Sequence, residues 1–137
     1  MLSILVGGMK VDDQEQLADK YGLSRPGVLT SWIRNINNVR NMCAHHSRLW
    51  NRSPADQVSP VKRGEVAVLD HLVGDLHAQS RIYATAAVLQ FLLRTINPTS
   101  SWGSRLKEHF ATFPATTVSE ISQAGFPAEW NTLSLWN

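Results

Sequence analysis

Residues 24–48 read SRPGVLTSWIRNINNVRNMCAHHSR, and the spacing of their apolar side chains decides the fold. Leu29, Trp32, Ile33, Ile36, Val39 and Cys43 recur at steps of three and four, the period of a helix with one face against a core. Ser24 is a suitable N-cap, and Pro26 is tolerated in a first turn. The spacing therefore predicts a helix from about residue 25 to His46 or beyond, with Trp32 and Cys43 facing inward. Opposite the apolar stripe lies a polar row of Arg34, Asn37 or Asn38, Asn41, His45 and Arg48. Three asparagines at 37, 38 and 41 are poor helix formers. They read either as hydrogen-bonding groups in use or as partners for buried backbone and a kink.

Outward from this helix the pattern stays helical. Asp12 and Glu15 resemble a capping box, and Gly22 is a plausible stop, which predicts a short helix over 12–21. Little room is left for a helix before Lys10. Pro54, Pro60 and Gly64 make 51–64 a loop. A helix from about Val66 to Asp75 is weakened by Gly74. Residues 80–96 form the most apolar helix, ended by Pro98. Another runs from Ser100 or Ser101 to about Phe110. Thr117 and Glu120 suggest a capping box for a last short helix stopped near Gly125, and Trp130 and Trp136 in the tail 126–137 should pack back on the body. Alternating strand patterns are missing. The expectation is one all-α domain over 1–137.

Hydrophobic residues make up 43% of the 137 and charged residues 18%, enough apolar surface for a core. A lone cysteine excludes an internal disulfide and a Cys-rich zinc site and suits a cytoplasmic protein. No apolar run reaches the length of a membrane span. The net charge is +2, but its distribution is uneven. Residues 20–55 contain no Asp or Glu and carry Lys20, Arg25, Arg34, Arg40, Arg48 and Arg52, so this window holds +6 and the remainder 2 − 6 = −4. Such a segment suits a polyanion, RNA among them; the alternative is a solvated face balanced by distant carboxylates.

Arginine and histidine beside each other fit phosphodiester cleavage. Histidine exchanges a proton near neutral pH, and a guanidinium neutralises the oxygens of a phosphorane. RNA brings its own nucleophile, the 2′-hydroxyl, so the chemistry needs no metal or cofactor. Asn41 and His45 are four apart, and the amide could orient the imidazole. Arg40 and His45 are five apart and diverge by about 140° on a straight helix. Either the helix bends near His45, or two copies pool their residues across a two-fold axis, which makes a homodimer the expected assembly.

The string VRNMCAHHSRLWNR, residues 39–52, resembles the R-N-x-x-x-H motif of HEPN-superfamily ribonucleases, and more closely the RN-x-CAHHSRLWNR of the Abi-like, AbiD/AbiF-type family of phage-defence proteins. LADKYGLSRPGVLTSWIRNINNVRN before it, and LLRTINPTSSW and GFPAEW after it, are similar to the same family. The resemblance implies a HEPN-type helical bundle, the C-terminal portion of a longer family architecture. It implies an endoribonuclease of abortive infection in which Arg40 and His45 are catalytic and Asn41 assists. His46, Arg48, Arg52, Trp50 and Asn51 then support the site, with Arg34 and Asn37 as further RNA contacts. It also admits a noncoding RNA or antitoxin as partner. The rival is a non-catalytic RNA- or protein-binding module in which Arg40 and His45 are structural. A metal-dependent nuclease would need paired carboxylates that the basic window lacks. His71 and His77 with Asp70 and Asp75 match no common ligand spacing and read as solvated helix positions.

Overall fold

The structure, a computed structural model, describes all residues except Met1, Ala115 and Thr117. The described residues form helices and no strand, in agreement with the expected all-α class. The helices are α1 (Leu2–Gly7), α2 (Val11–Asp19), α3 (Pro26–Ala44), α4 (Leu76–Gln79), α5 (Ile82–Ile96) and α6 (Trp102–Ala111). Short 3-10 turns add Ala67–Leu72, Ile121–Ala124, Trp130–Thr132 and Ser134–Trp136. None of these helices is long and apolar enough to cross a membrane.

α5 is the centre. Its alanines 84, 86 and 87 are buried together with Tyr83, Val88 and Leu92. Small side chains let neighbours approach from several sides, so α5 packs against α3, α4 and the 3-10 turns at 67–72 and 134–136. α3 lies against α1, α2 and α5. Trp32 is 1% exposed and meets Phe91 edge-on at 5.9 Å, as its stripe position requires. The tail folds back as expected: Trp130 and Trp136 are buried, with ring centroids 4.9 Å apart and near perpendicular. Arg94 Nη1 donates to the Ser134 carbonyl at 2.7 Å and holds that tail on α5.

Residues 56–60 run back along α3 as a strap, tied by α3 side chains. Asn35 Nδ2 donates to the Asp56 carbonyl (2.6 Å), Trp32 Nε1 to Ser59 (2.9 Å) and Arg25 Nη2 to Pro60 (3.0 Å). Ser31 Oγ donates to Gln57 and accepts from the Ser59 N–H. A loop has no ladder of its own, so its backbone groups must find side-chain partners. Val58 and Val61 then seal it onto the core.

Several local expectations are corrected. A leading helix, α1, does precede Lys10. α2 starts at Val11 behind Lys10, and no side chain caps it, so Asp12 and Glu15 form no capping box. Its end is as expected: Gly22 is left-handed (φ 67°), and the Leu23 N–H reaches back to the Ala18 carbonyl. Arg25, not Ser24, is the N-cap of α3. Ser24 instead gives both its N–H and its hydroxyl to Glu65, a stronger acceptor than water. The helix expected over 66–75 is only a 3-10 turn, Ala67–Leu72; left-handed Gly74 (φ 91°) follows it, and Asp75 caps α4 beyond. The final helix is a 3-10 turn ended by Gly125; the proposed cap Thr117 lies outside the described residues.

Candidate functional site

α3 ends at Ala44, two residues before the expected limit, and the way it ends shapes the site. His45 is its C-cap (φ −96°, ψ 18°), and His46 is left-handed (φ 53°). The Ser47 N–H donates to the Met42 carbonyl and the His46 N–H to the Cys43 carbonyl. This is a Schellman closure with histidine where glycine is usual. The chain therefore leaves the helix axis at His46. Arg48 does not continue the polar row of α3, as its spacing had suggested; it belongs to the loop beyond the helix.

The last turn of α3 stands clear of the body. Arg40, Asn41, Cys43, Ala44, His45 and His46 are all exposed, and Met42 is half-buried. Cys43 is thus not a core residue, contrary to its place on the apolar stripe. The stripe continues in sequence, but no wall is left for it to face. Arg40 and His45 are both exposed to solvent, and helix geometry sets positions five residues apart about 140° away from each other. Arg40 Nη1 donates to Asn41 Oδ1 at 3.1 Å. The amide expected to orient His45 is thus engaged with the guanidinium.

The loop after His46 brings further cations and one aromatic. Arg48, Asn51 and Arg52 are placed there, Asn51 and Arg52 exposed and Asn51 left-handed (φ 52°). Trp50 is half-buried and stacks on Phe113 with ring centroids 4.8 Å apart and planes 26° apart. One face of the indole is therefore committed to the protein. Arg81, at the N-cap of α5, donates Nη1 to Ser53 Oγ and pins the loop's far end. Arg34 is exposed on α3, whereas Asn37 is half-buried and lines an apolar groove together with Arg40. Asn38 is half-buried with an Oδ1 that has no hydrogen-bond partner among the described residues.

Sequence reasoning missed Asn35, Arg81 and Phe113. Asn35 sits between Trp32 and Ile36 on the inward arc, and its burial (1% exposed) agrees with that phase. Nothing local marks Arg81 or Phe113, which act on residues 28 and 63 positions away.

The four residues weighed as a metal set have other uses. His71 Nε2 accepts from the Tyr83 hydroxyl at 2.8 Å, and its other ring nitrogen faces the Val68 carbonyl. Burial pushes the His71 pKa below the usual histidine range, against the pull of Val68 and of Asp75 and Asp70. Burial also pushes the Tyr83 phenol up, to about 12. His77 Nε2 lies 2.8 Å from the Ser122 carbonyl. Asp70 accepts from the Gly64 N–H and Asp75 from the Ala78 N–H.

Residues 1–51 match a family model described as Abi-like protein. The match takes in α1, α2, all of α3 and the string through Asn51. The similarities read in LLRTINPTSSW and GFPAEW lie beyond it. No curated protein and no solved structure matches the chain.

Proposed function

We propose, from the Abi-like match over residues 1–51, that this protein acts in abortive infection as a HEPN-type endoribonuclease whose working groups are Arg40, Asn41 and His45. The observation that carries the reading is that Arg40, Asn41 and His45 are all solvent-exposed at the C-terminal end of α3, inside the matched segment. A purely structural Arg and His would be expected to bond into the body. Here Arg40 is exposed, and its one side-chain hydrogen bond among the described residues goes to its neighbour Asn41.

The chemistry is an in-line transfer. The ribose 2′-oxygen attacks the adjacent phosphorus as an imidazole takes its proton, and the P–O5′ bond breaks. A protonated imidazole returns a proton to the 5′-oxygen. The products are a 2′,3′-cyclic phosphate and a 5′-hydroxyl. Arg40 neutralises the equatorial phosphorane oxygens, and Asn41 holds the guanidinium. Because Arg40 and His45 diverge on one chain, two copies meeting at the ends of α3 supply the convergent set. Arg48, Arg52 and His46 flank it as phosphate contacts, with Trp50 and Asn51 beside them.

The test is RNA cleavage by the purified protein with chelator present. His45→Ala and Arg40→Ala should each lower the rate by about 10²- to 10⁴-fold. Both residues are exposed, so circular dichroism and melting should be unchanged. A wild-type protein that leaves RNA intact, or a His45→Ala protein that cuts equally well, ends the proposal.

A further inference from the structure

An apolar groove of 570 Å³ runs between α1, α2, α3 and α5. Leu29, Ile33 and Ile36 of α3 form one wall, and Leu89 and Leu93 of α5 another. Its volume lies within the range of small-molecule sites. Its shape favours something larger. From Leu29 to Arg40 it follows α3 for eleven residues, about 16 Å or three helical turns. Its lips are apolar and open: Leu2 and Ile96 line it and are 61% and 66% exposed. Leu5, on the same α1, is 65% exposed. A small ligand inside the groove would leave these lips in water. A helix about 10 Å across would cover them.

Charge specifies the occupant further. Among the described residues that line the groove, Arg40 is the one that carries a charge, and it sits at the C-terminal limit of the α3 wall with Asn37 a turn before it. An apolar trough closed at one end by a cation complements an amphipathic helix with a carboxylate at the matching end.

We propose that this groove docks an amphipathic helix of a protein partner, with an Asp or Glu of that helix paired to Arg40, and that docking masks Arg40 from RNA. The masking part rests on the catalytic role proposed for Arg40; the docking part does not. Carboxylate and phosphate compete for the same guanidinium edge, since each takes two parallel N–H donors. Occupation therefore silences cleavage without blocking His45.

The probe is a fluorescein-labelled synthetic helical peptide of about 15 residues. It carries leucines at i, i+3, i+4 and i+7 and a glutamate one turn on; a twin carries lysine there. Anisotropy titration against the full chain should show the glutamate peptide binding about tenfold tighter than its twin. Arg40→Glu should reverse that order. Leu2→Glu and Ile96→Glu alter exposed lips, so the fold should persist, and both should weaken either peptide about tenfold. Equal affinity for the twins, or indifference to Arg40→Glu and Ile96→Glu, overturns the proposal. Displacement of the glutamate peptide by dodecanoate at lower concentration overturns it in favour of a small amphiphile. A dimer that Ile96→Glu dissociates and that excludes the peptide overturns it in favour of a second copy. If the charge preference holds but wild-type protein cuts no RNA, the cleavage reading fails and the docking site stands.

Discussion

Replacing Glu65 with glutamine should loosen the junction between α3 and its strap, by an amount that depends on pH. The carboxylate accepts from the Ser24 N–H (2.6 Å), the Ser24 hydroxyl (2.7 Å) and the Lys62 N–H (2.7 Å). Partial burial raises its pKa, but the Lys62 and Ser24 hydrogen bonds, with Arg25 nearby, outweigh this and bring it from 4.5 to about 2. The nominal difference is about 3 kcal/mol by linkage, and solvent screening of so open a group reduces it to about 1–2 kcal/mol. The sign is set by the lowered pKa. The ionised form is favoured in the folded state, so the contribution is complete above pH 4.5 and is lost as pH falls from there toward 2. Glutamine keeps one acceptor and turns an NH₂ toward donors. Urea unfolding of wild type and Glu65→Gln at pH 7, 4.5, 3 and 2 measures this directly. The gap should be about 1–2 kcal/mol at pH 7, narrow through pH 3 and close near pH 2. A gap that is constant with pH would refute the assignment to the ionised carboxylate.

Two other perturbations act on buried contacts. The chain Trp136 Nε1–H to Tyr83 hydroxyl to His71 Nε2 joins the tail, α5 and the turn at 67–72. Burial lowers the His71 pKa and favours the neutral ring, so wild-type stability should be full above pH 6.5 and decline as pH falls below it. Tyr83→Phe should cost about 1–2 kcal/mol at pH 7.5 by thermal melting; an unchanged melting temperature would show that the bond contributes nothing. Gly125 is left-handed (φ 86°), and a Cβ there would come within 2.6 Å of Arg81 Cβ. Gly125→Ala should therefore destabilise by about 2 kcal/mol or more, whereas Gly27→Ala, where a Cβ meets nothing within 4 Å, should be neutral or stabilising.

The helical class, the inward phase of α3 at Leu29 and Trp32, the apolar α5 and the stop at Gly22 were legible because each depends on residues a turn or two apart. The string around Arg40 and His45 was legible because its composition is unlike that of an ordinary solvated face. Errors arose where a local pattern had a distant competitor. Ser24 has the chemistry of a cap, yet Glu65, 41 residues on, takes its hydroxyl. Cys43 keeps the apolar phase, yet α3 outruns the body there.

Local sequence thus determined which segments are helices and which arc of each seeks a core, since helix formation and amphipathic phase are short-range properties of the chain. Tertiary structure alone decided the pairings across loops: Asn35 with the strap, His71 with Tyr83, Trp50 on Phe113 and Arg40 with the mouth of the groove. Each polar group or ring could have met several partners of equal chemistry. Only the packing of the elements against one another brought one of them within reach.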